Sequence, residues 1–255
     1  MVIKREIATR LQAAFDKPSW TGKLVVFSGN TDCYQPLEAT YGLTRACLEV
    51  CASYRNPVGI ITKSTLIERD IDLLQTLHSE THLDLVVSIP FDDAEVARGI
   101  EPGVPTPQRR YKTIERLAAA GLAVGVNVAP IIPGLNDETV ATVLTRSRDA
   151  GAIYFGHTMV PLPGAVRDVF EHRVRTLFPN RADKVMSAIR QARGGATTES
   201  AFGARMTGAG PRWQAIERLV QQTADRLGFK TRPAVPSPSP FQRPPKTGDQ
   251  LSLFG

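Results

Sequence analysis

The sequence predicts an α/β fold of parallel strands joined by crossover helices. Three observations predict it. Short apolar runs alternate strictly with stretches whose apolar residues recur every three or four positions. Five such runs are separated by four such stretches, and strands linked through helices lie parallel. Polar residues then gather just after each apolar run, where folds of this kind bind ligands.

The elements follow in order. Met1 to Asp16 reads as helical and dotted with Lys and Arg, with no apolar signal-peptide core. Leu24-Val25-Val26-Phe27 is a buried strand stopped by Ser28-Gly29-Asn30. Leu37, Tyr41, Thr44, Leu48 and Cys51 place a helix over Pro36 to Tyr54, with Pro36 in its first turn. Val58 to Ile61 is the second strand, and Leu66, Leu73, Leu74 and Leu77 mark the next helix. Leu85 to Ile89 is the third strand, followed by a Pro- and Gly-rich loop from Gly99 to Pro107. Tyr111, Ile114, Leu117 and Ala118 give a helix closed by Gly121. Val124 to Ile132 is the fourth strand, Asn136 or Asp137 caps the helix after it, and Ala152 to Val160 is the fifth strand. Beyond Gly164 the pattern changes. Arg173 to Arg193 reads as helical and basic, Gly194 to Gly210 is rich in small residues, and Ala215 to Leu227 is amphipathic. From Thr231 the chain holds six of its 19 prolines and reads as disordered.

Composition narrows the function classes. No stretch approaches the ~20 apolar residues of a membrane span. Three cysteines cannot build a disulfide framework, so a reducing cytoplasm is expected. The net charge of +6 permits an anionic partner without requiring one.

The candidate site is the ring of strand-end residues. Ser28-Gly29-Asn30-Thr31-Asp32 follows the first strand, Thr62-Lys63-Ser64 the second, and Ser88 ends the third. Asn127 lies in the fourth strand, which runs into Ala129-Pro130-Ile131-Ile132-Pro133-Gly134. His157 and Pro161-Leu162-Pro163-Gly164 follow in the fifth. Taken singly, Lys63 reads equally as a solvated loop lysine and Ser88 as strand filler. Together, at successive strand ends, they read as a site.

These strings, in this order, resemble the radical SAM superfamily in its spore-photoproduct-lyase-like (DNA repair photolyase-like) branch. The matching segments are Ser28 to Glu38, Thr62-Lys63-Ser64, Ser88, Glu101-Pro102-Gly103 and Val128 to Asp137, and the resemblance spans about residues 20 to 230. It implies a partial TIM-type (β/α)6 barrel that binds S-adenosylmethionine against a [4Fe–4S] cluster. By resemblance, Thr31 and the backbone of Gly29 and Asn30 hold the amino-acid part, and Lys63 faces the carboxylate. Ser88 bonds the ribose or carboxylate, Asp32 and Ser64 count among the cofactor-binding residues, and Ala129-Pro130-Ile131 packs on adenine. Asp32 is expected to organise its turn. The implied division is a partial barrel over 1–163, a helical extension over 164–230 and the disordered tail over 231–255.

One departure from the family is large. Its first strand is followed by Cys-x3-Cys-x2-Cys, whose thiolates hold the cluster. Cys47 and Cys51 have the first spacing, but Tyr54 stands at the third position. They fall i, i+4 on the apolar side of a helix and read as small buried hydrophobes. Cys33 lies in the first turn, either near the chemistry or as a plain loop residue. No metal ligand and no catalytic residue is assigned. The first strand here is expected to be the family's second, and the helix over 3–16 the one after a missing first strand. A fragment, a misplaced start or a degenerate gene would each give such a chain, and without a cluster it cannot do radical chemistry alone. Spore photoproduct lyase carries a hydrogen-donor cysteine in the matching turn, at about Gly29, so thymine-dimer reversal is not carried over.

Gln250-Leu251-Ser252-Leu253-Phe254 resembles the pentapeptide by which bacterial replication and repair proteins dock on the sliding clamp. A Leu and a Leu-Phe pair would enter an apolar groove, and the Pro-rich stretch would serve as a tether. The alternative is a clasp folded back on the parent domain. Among other residues, His78 and His82 read as a solvated helix end. His157 is the histidine placed to donate a proton or line the pocket. Arg109 and Arg110 pair Glu101 or face an anion, and Arg173, Arg175, Arg181, Lys184, Arg190 and Arg193 either contact phosphates or form a solvated face. The expected function is an S-adenosylmethionine- and iron–sulfur-dependent radical protein in its full-length form, with nucleic acid as the candidate substrate. The alternatives are a non-catalytic remnant or adaptor on the sliding clamp, and a plain β/α enzyme using Lys63 and His157.

Overall fold

The computed structural model describes residues 3–28, 31–195 and 206–245. Five strands form one all-parallel sheet in the order β1-β2-β3-β4-β5: β1 Val25–Phe27, β2 Val58–Thr62, β3 Leu83–Ser88, β4 Val124–Ile131 and β5 Tyr154–Met159. Each strand pairs with its chain neighbour through a helical crossover, so the sheet winds in one direction as an open barrel. The helices are α1 Ile7–Phe15, α2 Glu38–Tyr41, α3 Leu43–Ser53, α4 Ile71–Glu80, α5 Ala94–Ile100, α6 Pro107–Ala119, α7 Val140–Asp149, α8 Val166–Leu177, α9 Ala182–Ala192 and α10 Pro211–Arg226.

The two faces of the sheet differ in chemistry. Val58, Ile60, Leu83, Leu85, Val87, Val124, Val126 and Val128 are fully or almost fully buried, and they supply the core beneath the helices. The alternate positions carry Gly59, Asp84, Ser88, Gly125, Asn127 and Gly156, small or polar residues on the inner face. Gly125 is required there, because a Cβ would enter the ring of Tyr154. The Tyr154 hydroxyl fills that inner face, donating to the Leu85 carbonyl at 2.8 Å and accepting from the Leu85 N–H at 2.9 Å.

The structure departs from the sequence expectations in several places. The helix expected over Pro36 to Tyr54 breaks at Gly42, which takes a φ of 58° between α2 and α3. The loop expected from Gly99 begins later, because α5 occupies 94–100, capped by Asp93, which accepts from the N–H groups of Glu95 and Val96. The single helix expected from Arg173 to Arg193 is two, α8 and α9. His82 is not a solvated helix end: it is buried just before β3.

The largest correction concerns the segment after Thr231. Residues 231–245 are not disordered but form an extended strap across the barrel floor. Lys230 N–H bonds the Ile153 carbonyl at 2.8 Å, and Arg232 grips both carboxylate oxygens of Asp84. Phe241 packs with Phe15 and Tyr54 at ring-centroid distances of 5.9 and 6.1 Å. Arg243 donates to the carbonyls of Phe15, Lys17 and Trp20. Proline keeps such a segment extended, and a few aromatic and guanidinium anchors fix it. Residues 246–255, with the Gln250 to Phe254 pentapeptide, lie outside the described residues.

Candidate functional site

The carboxyl ends of the strands enclose a cleft of about 590 Å³. Thr31, Asp32, Lys63, Ser88, Ala129 and Pro130, all expected at the site, line it. Ser64 lines a neighbouring cavity of about 480 Å³ that shares Asp32 and Lys63 with the cleft. Ile131 points the other way, fully buried in the core, and Ile132 takes the place expected for it on the cleft wall. Gly29 and Asn30 lie outside the described residues.

Asp32 organises the first turn. Its Oδ1 accepts from the Tyr34 N–H at 2.9 Å and the Thr62 hydroxyl at 2.7 Å, and its Oδ2 accepts from the Lys63 N–H at 2.7 Å. All three partners are spoken for by one carboxylate, so Asp32 ties the end of β1 to the end of β2. Ser88 ends β3 with its hydroxyl donating to the Ala129 carbonyl at 3.0 Å, which fixes the lip of β4 beside it. Asn136 holds that lip from behind: its side chain accepts from the Ile132 N–H at 2.6 Å and donates to the carbonyls of Pro90 and Pro130.

Charge enters through Lys63, Glu101 and Arg110. The Lys63 ammonium pairs with Glu101 Oε1, and the other oxygen of Glu101 accepts from Arg110 at 3.0 Å. Arg110 is buried, and it also holds the carbonyls of Ser88 and Pro105. The open question between a salt bridge and a substrate contact thus resolves to a salt bridge for Arg110. Lys63 remains about one-third exposed. An ammonium beside a carboxylate, with hydroxyl and amide groups around and an apolar wall opposite, suits a zwitterionic ligand with a flat apolar end.

Sequence reasoning undervalued Glu101 and Asn127 and missed Thr158 and Phe170, all of which line the cleft. The signal for Asn127 was a lone amide inside an apolar strand. His157 is a correction. It points to the outer face of β5, 6.4 Å from the Phe155 ring and 6.0 Å from Trp213, where burial lowers its pKa. It neither lines the cleft nor faces a proton acceptor there.

The cysteines do not suit an iron–sulfur cluster. Cys47 and Cys51 are buried inside α3, where burial pushes their thiols up to about 11 and about 12. Cys33 receives a hydrogen bond from the Ser28 hydroxyl, and burial pushes it up to about 12. Cysteine thiolates are the ligands that hold a [4Fe–4S] cluster. Among the described residues no cluster of three or more His, Cys, Asp or Glu side chains is placed to hold a metal. This chain's thiols therefore do not fit an iron–sulfur cluster.

The fold is an open α/β barrel with a cleft at its strand ends. The model of the radical SAM superfamily matches residues 2–146, more than half of the chain, and the chain belongs to that superfamily. An uncharacterized protein of Mycobacterium tuberculosis is 36% identical over 154 residues, covering 60% of this chain and 45% of the relative. An uncharacterized protein of Methanocaldococcus jannaschii is 30% identical over 113 residues, 44% of this chain and 42% of the relative. The chain thus spans less than half the length of these relatives. Among solved structures, spore photoproduct lyase complexed with dinucleoside spore photoproduct has the same fold, with a TM-score of 0.62 at 15% identity over 90% of this chain and 66% of that one. A variant of that enzyme with bound AdoMet and dinucleoside spore photoproduct also matches, with a TM-score of 0.61 at 16% identity.

Proposed function

We propose that the strand-end cleft binds S-adenosylmethionine and that the chain is the ligand-holding barrel of a radical SAM protein acting on nucleic acid in the reducing cytoplasm. The observation that carries this reading is the Lys63–Glu101 pair, which lines the cleft together with Ser88 and Asn127. Lys63 takes the α-carboxylate and Glu101 the α-ammonium. Ser88 and Asn127 serve the ribose hydroxyls, and Ala129, Pro130 and Ile132 cover the adenine. S-adenosylmethionine bound against a reduced iron–sulfur cluster supplies one-electron chemistry that no side chain can replace. This chain's residues bind and orient. They offer no cluster ligands, so no chemical step is assigned to them. Support for a nucleic acid substrate comes from the likeness to a lyase bound to a dinucleoside, and no membrane-spanning helix occurs among the described residues.

Equilibrium dialysis against labelled S-adenosylmethionine tests the reading. Saturable uptake is expected, weakened about tenfold by Asn127→Ala and by Lys63→Ala, the loss of one hydrogen bond to a polar or charged group. No uptake at ~1 mM ligand overturns it.

A further inference from the structure

We infer that the end of the cleft formed by β5 and α8 is a second subsite, which holds a single unpaired base stacked on Phe170, with Arg167 taking a phosphate of the strand that carries it. The inference rests on the nucleic acid part of the reading above, and it names the form of the substrate and the residues that meet it. It begins from what the cofactor leaves uncovered. Lys63 follows β2, Ser88 ends β3, and Ala129 and Pro130 lie in the last turn of β4. The cleft continues past them to Thr158 in β5, Val160 and Leu162 after it, and Val166 and Phe170 on α8. This end offers apolar side chains and one hydroxyl. Helix α8 is fixed where it stands. The Arg173 guanidinium donates to the Gly99 carbonyl at 2.6 Å, and Phe178 and Leu177 close on Gly99, where a Cβ would meet them at 3.3 and 3.4 Å. Val174, on the same helix, is fully buried. Phe170, one turn before it, packs against the core and also lines the cleft. An aromatic ring held in an apolar wall is a stacking platform, and every base has a flat face to offer it.

Arg167 lies on the same face of α8, one turn before Phe170 and two before Val174. Its Nε is shielded from solvent and has no partner, and its guanidinium forms no ion pair among the described residues. Glu171, one turn further on, is taken by Arg175 at 2.9 Å instead. A guanidinium partly withdrawn from water without an anion is a site short of a negative charge. Phosphate is the anion that accompanies a base. The cleft of about 590 Å³ is shared with the cofactor, so it admits a base turned out of its strand and not a paired duplex.

The test uses the full chain and a fluorescein-labelled DNA strand of about 20 nucleotides with one central 2-aminopurine, free or annealed to its complement. Fluorescence anisotropy is expected to show the single strand bound at least about tenfold more tightly than the duplex, which must first give up a stacked base. Phe170→Leu keeps the wall apolar and is expected to weaken single-strand binding about tenfold. The 2-aminopurine emission of the bound strand is expected to be lower with the unaltered chain than with Phe170→Leu, because stacking on a ring quenches it. Arg167→Gln is expected to reduce the slope of log affinity against log salt by about 0.7, one phosphate contact on a single strand. Melting temperatures check that both variants fold, and if Phe170→Leu does not, the Arg167→Gln slope decides. Equal affinity for single strand and duplex, or unaltered affinity and emission in Phe170→Leu, overturns the base subsite. An unchanged salt slope in Arg167→Gln overturns the phosphate contact. Dialysis of the unaltered chain against S-adenosylmethionine separates the inference from the reading it rests on. Cofactor uptake with DNA binding indifferent to Phe170 overturns the inference alone. Cofactor uptake with no DNA bound overturns the nucleic acid part of the reading and the inference with it. Strand binding that depends on Phe170 without cofactor uptake overturns the cofactor reading and supports the base subsite.

Discussion

The Arg110 guanidinium meets the Glu101 carboxylate at 3.0 Å, with both side chains nearly sealed from solvent. Its remaining N–H groups hold the Ser88 and Pro105 carbonyls, so one cation anchors the end of β3 and the loop that carries Glu101. Removing it leaves a buried carboxylate with only the partly exposed Lys63 for company. Arg110→Met is expected to cost about 3–5 kcal/mol in urea unfolding. Lys63→Ala is expected to cost about 1 kcal/mol or less, because its ammonium is partly solvated. Equal losses in the two variants would show that Glu101 does not depend on Arg110.

Gly22 sits under the strap with a φ of 74°, and a Cβ there would enter Phe241 and the Ser239 hydroxyl. Gly22→Ala is therefore expected to lift the strap without touching the cleft. Trypsin should then cut the Lys230–Thr231 bond at the root of the strap about tenfold faster, because local opening exposes it. Phe241→Ala removes the same anchor from the other side, at about 2 kcal/mol for a partly buried ring. Unchanged cleavage in both variants would mean that the strap is held elsewhere.

The legible and illegible parts of the molecule differ in physical kind. Strands such as Val58–Thr62 and Leu83–Ser88 are buried on both sides, so they read as apolar runs without knowledge of the fold. Lys63 and Ser88 were legible because they end those runs. The partner of Lys63 was not, since Glu101 lies 38 residues away in a loop with two arginines near it. His157 and Thr158 are neighbours on opposite faces of β5, and an apolar run does not reveal which parity points inward. Helix α5 fully buries only Ala97, with Val96 and Ile100 half-covered beside it, so its apolar stripe is one turn long and its Asp93 cap is the clearer mark. The strap was misread because composition reports chain stiffness and not contacts. Its anchors, Arg243 to Phe15 among them, are separated by more than 200 residues.

The cysteine environments lead to a chemical expectation. All three thiols are pushed upward by burial, so at pH 8 the thiolate fraction is small. The native chain should consume less than one equivalent of Ellman's reagent in the time the unfolded chain consumes three. Anaerobic reconstitution with iron and sulfide should leave the chain without the visible absorbance of a [4Fe–4S] cluster. Rapid reaction of two or more native thiols, or a reconstituted cluster, would reopen cysteine ligation by this chain.

One buried and one half-buried histidine contribute to the acid side of the stability profile. His82 lies beside Asp84 and Arg232 before β3, and His157 lies on the outer face of β5 near Glu217. Burial is the largest influence on each, and it holds both below the ordinary histidine value of 6.5. The unfolded chain therefore binds protons first as the pH falls. Stability from these groups is fully present above about pH 6.5 and is lost as the pH drops through their lower folded values. The Asp72 carboxylate, held at about 2 by its hydrogen bonds to Arg45, enters only at far lower pH. Urea midpoints should thus fall between pH 7 and pH 5, and the double variant His82→Gln, His157→Gln should flatten that slope. A slope unchanged in the double variant would assign the acid sensitivity to other groups.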